Sequence, residues 1–380
     1  MKRISLNTIT ILLAAILFSG CADVDGGKSS IIPPTISEQI TENSSNVLIS
    51  NGETGETSSD ISFISTSCKI YKQKVKTFTE EQLLSFFSVT PERTFYEETD
   101  TVIYSSDKEN GNLNPTSLFF YTETGLLCDM ANGEAYGGKV QSNEESLTSL
   151  SRDEALKIAN DSLQNIGLDS HDWRTDKIYA IKAETLDAFK EKAYKSSLDN
   201  PYSLDEQELQ KEIETAQRLY KLPSKDIYYI EFRPEFDGIP TYSGGLLAYG
   251  SDDKIVMPSS CKIYISKDGI EYFFVSNITE TETYEVVNII EFSTAKEWID
   301  KKYSEIIFDG EIRVNNIELV YIPIPLNDPE NINKNFETRP FYAFYCTITQ
   351  NYDGEIISND IITYFDAVTG NEFATESVGY

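Results

Sequence analysis

Apolar and polar residues alternate along much of this chain in short, aromatic-rich runs, a period of two that predicts half-buried antiparallel strands. The runs are Arg93-Thr-Phe-Tyr-Glu-Glu98, Thr101-Val-Ile-Tyr104, Ser117-Leu-Phe-Phe-Tyr121, Lys254-Ile-Val-Met257, Cys261-Lys-Ile-Tyr-Ile265, Ile270-Glu-Tyr-Phe-Phe-Val275 and Thr283-Tyr-Glu-Val-Val-Asn-Ile-Ile290. A longer one, Asp226-Ile-Tyr-Tyr-Ile-Glu-Phe-Arg-Pro234, leads through a turn into Gly238-Ile-Pro-Thr-Tyr242. Ser266-Lys-Asp-Gly269 is a tight turn joining its two neighbours.

Helical periodicity interrupts these strands. Thr79-Glu-Glu-Gln82 opens a short helix through Phe87, stopped by Pro91. Ser151-Arg-Asp-Glu154 is a capping box, and Ala155, Leu156, Ala159, Leu163 and Ile166 follow as one apolar stripe ending at Gly167. A second box, Ser203-Leu-Asp-Glu206, opens a stripe of Leu209, Ile213, Ala216 and Leu219, and residues 183–196 supply a helix between the two. The last eighty residues form the clearest unit. A helix start at Thr294-Ala-Lys-Glu297 feeds a strand at 317–324, then a hairpin of 340–348 with 361–370 turning at Asp353-Gly354. The segment after Ser151 shares this order. The expected class is α+β, with antiparallel β-sheets of helix-plus-sheet modules packed with amphipathic helices.

Composition changes at both ends of residue 60. Met1-Lys-Arg is followed by the apolar run 9–18 and then Ser19-Gly20-Cys21, which resembles the lipobox of bacterial lipoproteins. The resemblance implies a signal peptide over 1–20 and a diacylglyceryl thioether on Cys21, tethering the rest to the extracytoplasmic face of a membrane. Residues 21–60 hold no aromatic and are rich in Ser, Thr, Asn and Glu, the composition of a disordered stalk. The folded body is then divided as 61–150, mostly β; 151–290, a helix-plus-sheet module with a helical insertion; and 291–380, a second such module.

Charge narrows the partners. The formal balance is -30, and becomes -32 once Lys2 and Arg3 leave with the signal. Nucleic acid is disfavoured, because phosphate binding needs clustered Lys and Arg. Beyond Cys21 the cysteines are Cys68, Cys128, Cys261 and Cys346, too far apart in sequence for a zinc motif; exported chains allow disulfides, and a body this large does not require them. No cofactor or metal is expected. Asp107-Lys-Glu-Asn-Gly-Asn-Leu-Asn114 places oxygen donors around a glycine but lacks the closing glutamate of a calcium loop, so it reads as an acidic turn.

Ser151-Arg-Asp-Glu-Ala-Leu-Lys-Ile-Ala159, Phe236-Asp-Gly-Ile-Pro-Thr-Tyr242 and Tyr364-Phe-Asp-Ala-Val-Thr-Gly-Asn-Glu372 resemble the pieces of PepSY-like domains, and the layout is similar to extracytoplasmic regulators of cell-wall sensor kinases. The resemblance spans roughly 150 to 372 and makes 291–380 the PepSY-like module. It implies an exported or membrane-tethered module that modulates a protease or signalling partner, and it carries no catalytic residue.

The residues themselves point the same way. His171, the single histidine, sits in a polar loop, and no nucleophile elbow, paired metal histidines or phosphate loop appears. A carboxylate-dependent hydrolase is the least favoured reading, since with 62 acidic residues the sequence selects no pair. Binding is preferred to catalysis, through a protein partner first and a solute or glycan second. The candidate surface is Tyr229, Tyr242, Arg233, Arg339, Tyr342, Phe344 and Tyr364: aromatics for stacking or an interface, and two arginines for an acidic neighbour or a ligand carboxylate. Alternation sends Tyr342, Phe344 and Cys346 to one face and Phe341, Ala343 and Tyr345 to the other; burial under a helix is the ordinary explanation of such a set, and a binding role here requires one face to stay open as a groove.

Overall fold

The computed structural model describes residues 47–49, 67–135, 147–169, 172–198, 221–242, 247–249, 254–256, 258–304, 310–326, 335–352, 355–373 and 375–376, with scattered helical positions between 210 and 220. Cys21, His171, the capping box at Ser203 and the Asp353-Gly354 turn lie outside these residues.

The chain begins with β1 (Val47–Ile49), β2 (Ser67–Val75) and α1 (Glu80–Leu84). A meander follows: β3 (Glu92–Tyr96), β4 (Thr101–Ser105), β5 (Glu109–Asn114) and β6 (Ser117–Thr122). Next come α2 (Glu123–Ala135), α3 (Arg152–Asn165), β7 (Trp173–Ile181), α4 (Ala183–Leu198), β8 (Ile227–Phe236) and β9 (Ile239–Pro240). Then β10 (Leu247–Tyr249), β11 (Lys254–Val256), β12 (Ser260–Ser266), β13 (Gly269–Ser276) and β14 (Thr279–Asn288) precede α5 (Phe292–Ser304). The end is β15 (Gly310–Pro325), β16 (Asn335–Tyr352), β17 (Glu355–Asp366), β18 (Glu372–Phe373) and β19 (Thr375–Glu376).

Among the described residues these strands form two large sheets and a small one. The nine-stranded sheet runs β3-β4-β5-β6-β13-β12-β8-β7, with β9 folded back on β8. The seven-stranded sheet runs β1-β15-β16-β17-β18, and β2 joins it by pairing with the first residues of β16 on one side and with β14 on the other. Every pairing in the two is antiparallel except β1 with β15. The α+β class is as expected, and its two meanders match in layout: β8-β12-β13 after α3, and β15-β16-β17 after α5.

The expected divisions do not follow the sheets. Residues 61–150 are not a separate β region, because β6 hydrogen-bonds along β13 with Phe119 opposite Phe274, so β3–β6 complete the sheet of the middle module. β2 and β14 leave that module and widen the C-terminal sheet. The 21–60 stalk likewise contains β1, whose Val47-Leu48-Ile49 lies beside Ile312–Val314; an apolar, β-prone triplet can pair at a sheet edge even within a polar tract.

Local chemistry explains the helices. In α1 the amide of Gln82 donates to the Thr79 hydroxyl at 3.4 Å, while Gln82 Oε1 accepts from the Thr79 amide at 2.7 Å. Ser151 and Glu154 cap α3 in the same reciprocal way. The stripe Ala155, Ala159, Leu163 and Ile166 buries against Tyr228, Ile230, Phe232, Ile263 and Phe273 of the nine-stranded sheet. The opposite face of that sheet takes α2 and α4, through Cys128 and Leu186, against Phe119, Tyr229, Tyr264 and Tyr272. α2 has no periodic apolar stripe to announce it, and its Gly125 marks a close approach: a Cβ there would stand 1.9 Å from the Glu271 carbonyl oxygen. The 107–114 segment is not an acidic turn throughout, since Glu109–Asn114 is β5, paired with β4 and β6. α5 starts at Phe292, two residues before the expected cap Thr294, and seats Ala295, Ile299 and Tyr303 on Tyr342, Phe344 and Cys346.

Candidate functional site

The residues expected to form a ligand or partner surface are drawn together in part, and are almost entirely interior. Tyr229, Tyr242, Tyr342, Phe344 and Tyr364 are each at most 5% exposed. Both faces of Phe341–Cys346 are covered. α5 lies over Tyr342 and Phe344, whose neighbours include Trp298 and Phe365, and the Tyr342 hydroxyl donates to the Ile290 carbonyl at 2.7 Å. Burial drives the Tyr342 pKa up to about 12. On the second face Phe341 and Ala343 pack with Tyr242, Val320, Ile322 and Phe373, and the Tyr242 and Tyr364 rings meet edge to face at 5.7 Å. The hairpin strand is therefore core on both sides, the burial expected of such a set, and neither face is left open as a binding groove. Its near-continuous apolar sequence is the mark of a strand buried between two layers.

The two arginines are structural ties. Arg233 on β8 reaches across the seam between the sheets: Nη2 lies 3.2 Å from Asp176 on β7 and 3.2 Å from Glu318 on β15. Glu318 also accepts from the Tyr345 hydroxyl at 2.9 Å. Arg339 binds Asp366 through Nε at 2.9 Å and Glu337 through Nη1 at 2.7 Å. Asp366 in turn accepts from the amides of Val368 and Thr369 at 2.8 and 2.9 Å, fixing the turn that ends in Gly370 at φ +75°. A second tie at the seam uses the Asp237-Gly238 hairpin, both residues at positive φ, as its two-residue turn requires. It carries Phe236 to within 4.8 Å of the Tyr71 ring and 5.7 Å of Tyr321. Asp237 accepts from the Tyr71 hydroxyl at 2.7 Å and from Lys69 at 3.1 Å.

One arrangement was not legible in the sequence. Tyr179, Tyr229, Tyr264, Tyr272 and Tyr121 stand directly opposite one another on five adjacent strands, a tyrosine row across the nine-stranded sheet. Tyr121, Tyr229, Tyr264 and Tyr272 lie in apolar runs that predict strands and Tyr179 lies on β7, which no such run announced, but only register aligns the five. Two carboxyls flank the row. Asp129 accepts from the Tyr264 hydroxyl at 3.3 Å, and burial pushes its pKa up against the pull of Lys262. Glu231 accepts from the Tyr229 hydroxyl at 2.7 Å and from Lys177 at 3.0 Å; burial opposes its charge, and those partners outweigh burial and hold its pKa down. The row lies beneath α2 and α4, and Tyr229, Tyr264 and Tyr272 are buried.

An open feature among the described residues is a sheet edge. β14 pairs with β2 along its length, and among the described residues no strand pairs with its other side. Eight of its ten residues are exposed, Tyr284 at 57% and Val286 at 66%, so neither face is covered. It keeps strand form through Thr, Tyr and Val. A bulge at Thr281–Thr283 and three glutamates are the devices that usually keep such an edge from indiscriminate pairing. Nothing in the alternating pattern alone distinguishes this strand from a half-buried one.

Comparison with known proteins adds the fold alone. No family model matches the chain, and no curated protein matches it. A crystal structure of an uncharacterised protein from Eubacterium rectale ATCC 33656 is similar, with a TM-score of 0.58 at 15% sequence identity, covering 88% of this chain and 92% of that one.

Proposed function

We propose that this protein is a non-catalytic, lipid-anchored extracytoplasmic protein that acts through a protein partner in a regulatory or envelope role. The observation that carries the reading is a contrast. The five aromatics expected to stack on a solute or glycan, Tyr229, Tyr242, Tyr342, Phe344 and Tyr364, are consumed in the core, while a ten-residue strand stands open on both faces and, among the described residues, along one edge. A solute or glycan binder needs an open aromatic surface or a lined pocket, and Tyr229, Tyr242, Tyr342, Phe344 and Tyr364 supply neither. The anchor reading rests on Leu17-Phe-Ser-Gly-Cys21, and the regulatory one on the resemblance to PepSY-like modules and sensor-kinase regulators.

The test is made in cells expressing the full chain with a clickable fatty acid in the medium and a photocrosslinking residue at surface positions. The wild type takes up label and fractionates with membranes, Cys21→Ala does neither, and crosslinking gives a discrete, reproducible adduct with one envelope protein. A protein that stays unlabelled and soluble, or that gives no discrete adduct from any surface position, overturns the reading.

A further inference from the structure

We infer that the free edge of β14 takes up an extended segment of a partner protein by strand addition, and that this segment alternates basic with apolar residues. The inference rests on the protein-partner reading above and names its surface.

The backbone sets the mode. In a sheet every second residue turns its N–H and C=O toward the neighbouring strand, so a strand paired on one side presents a row of donors and acceptors on the other. Ten residues at about 3.3 Å each give an edge roughly 33 Å long, enough to register a peptide. The edge strand β3 at the far end of the nine-stranded sheet is half that length, at five residues.

The side chains set the occupant. β14 reads Thr-Glu-Thr-Glu-Thr-Tyr-Glu-Val-Val-Asn, with three glutamates and no basic residue. Glu280 and Glu282 are met by Lys76 at 3.3 Å and Lys74 at 3.7 Å, both from the β2 side. Glu285 stands opposite Ile70, with no basic partner among the described residues. Tyr284 and Val286 project to the other face, where Lys69 lies 4.6 Å from the Tyr284 ring centre. An added strand would therefore meet negative charge at Glu285 on one face and, on the other, the apolar surface of Tyr284 and Val286 beside Lys69. A Lys or Arg alternating with Val, Ile or an aromatic satisfies both. A second copy of β14 does not, because it would set its own three glutamates beside these, on a chain already at -30.

The test uses the full-length protein in non-ionic detergent and three labelled decapeptides: alternating lysine and valine, alternating glutamate and valine, and the lysine–valine peptide N-methylated at every second residue. The lysine–valine peptide should bind, slow amide exchange within 279–288, and weaken roughly three- to tenfold against Glu285→Lys. The glutamate peptide and the N-methylated peptide should not bind. Circular dichroism establishes that Glu285→Lys, an exposed change, is folded. Equal binding of the N-methylated peptide overturns the inference, since charge alone would then suffice. So does unchanged exchange within 279–288, or slow exchange there without peptide together with a dimer in sedimentation, which would make a second copy the occupant. Retention of the cellular crosslinked partner by Tyr284→Ala and Glu285→Lys would also remove β14 as the site while leaving the partner reading standing.

Discussion

Arg233 Nη2 and Glu318 Oε1 lie 3.2 Å apart across the seam between the two large sheets, with Asp176 at the same distance from the same nitrogen. The guanidinium side chain is 6% exposed, so its charge depends on those partners rather than on water. Truncating one member of a buried ion pair leaves the other uncompensated, at a cost of about 3–5 kcal/mol. Arg233→Ala should therefore lower the urea midpoint strongly. A double-mutant cycle with Glu318→Gln should show the two losses overlapping. Strictly additive small losses, each under about 1 kcal/mol, would mean that the seam is held by its apolar contacts alone.

Gly125 sits where α2 crosses the nine-stranded sheet, and the atom a Cβ would strike is a backbone carbonyl that cannot rotate away. Gly125→Ala removes a helix-disfavouring residue, which by itself would gain about 0.5–1 kcal/mol. The clash should reverse that sign, and overpacking costs typically about 1–3 kcal/mol. A melting temperature at or above that of the wild type would show that α2 can lift from β13 without penalty.

Asp237 gives the seam a dependence on pH. The Tyr71 hydroxyl is the main influence holding its pKa below the ordinary aspartate range; partial burial opposes this, and Lys69 adds to it. A carboxyl whose folded pKa is depressed contributes stability above its unfolded value of about 3.9, and loses it as pH falls through the folded value. Wild type should exceed Asp237→Asn in urea resistance at pH 7, with the gap closing below about pH 4. A constant gap across that range would assign the difference to turn geometry instead.

Cys68, Cys128, Cys261 and Cys346 are all free and buried. Burial raises each thiol pKa, that of Cys346 to about 11, so little reactive thiolate forms near neutrality. Of the four, none should react with a thiol reagent in the native protein, and all should react in denaturant. Dithiothreitol should leave the melting temperature unchanged. A shift on reduction would reveal a bridge.

Much of the local structure was written in the sequence. The capping boxes at Thr79 and Ser151, the Ser266–Gly269 turn and the strands around Tyr228, Cys261 and Tyr342 appear where periodicity and turn chemistry put them, because those signals act over a few residues. Partner choice between strands was not written there. That β6 joins β13, that β2 and β14 belong with the C-terminal hairpin, and that five tyrosines align in one row depend on register between segments that reach more than 260 residues apart, as between Tyr71 and Thr338. The same limit governs the site. Alternation shows that Tyr342 and Phe341 face opposite ways, but only the packing of α5 on one side and Tyr242 on the other reveals that both faces are covered. Tyr284 and Val286 obey the same period as buried residues, and their exposure follows from where β14 falls in the sheet: among the described residues it is last in its row, with no layer over it.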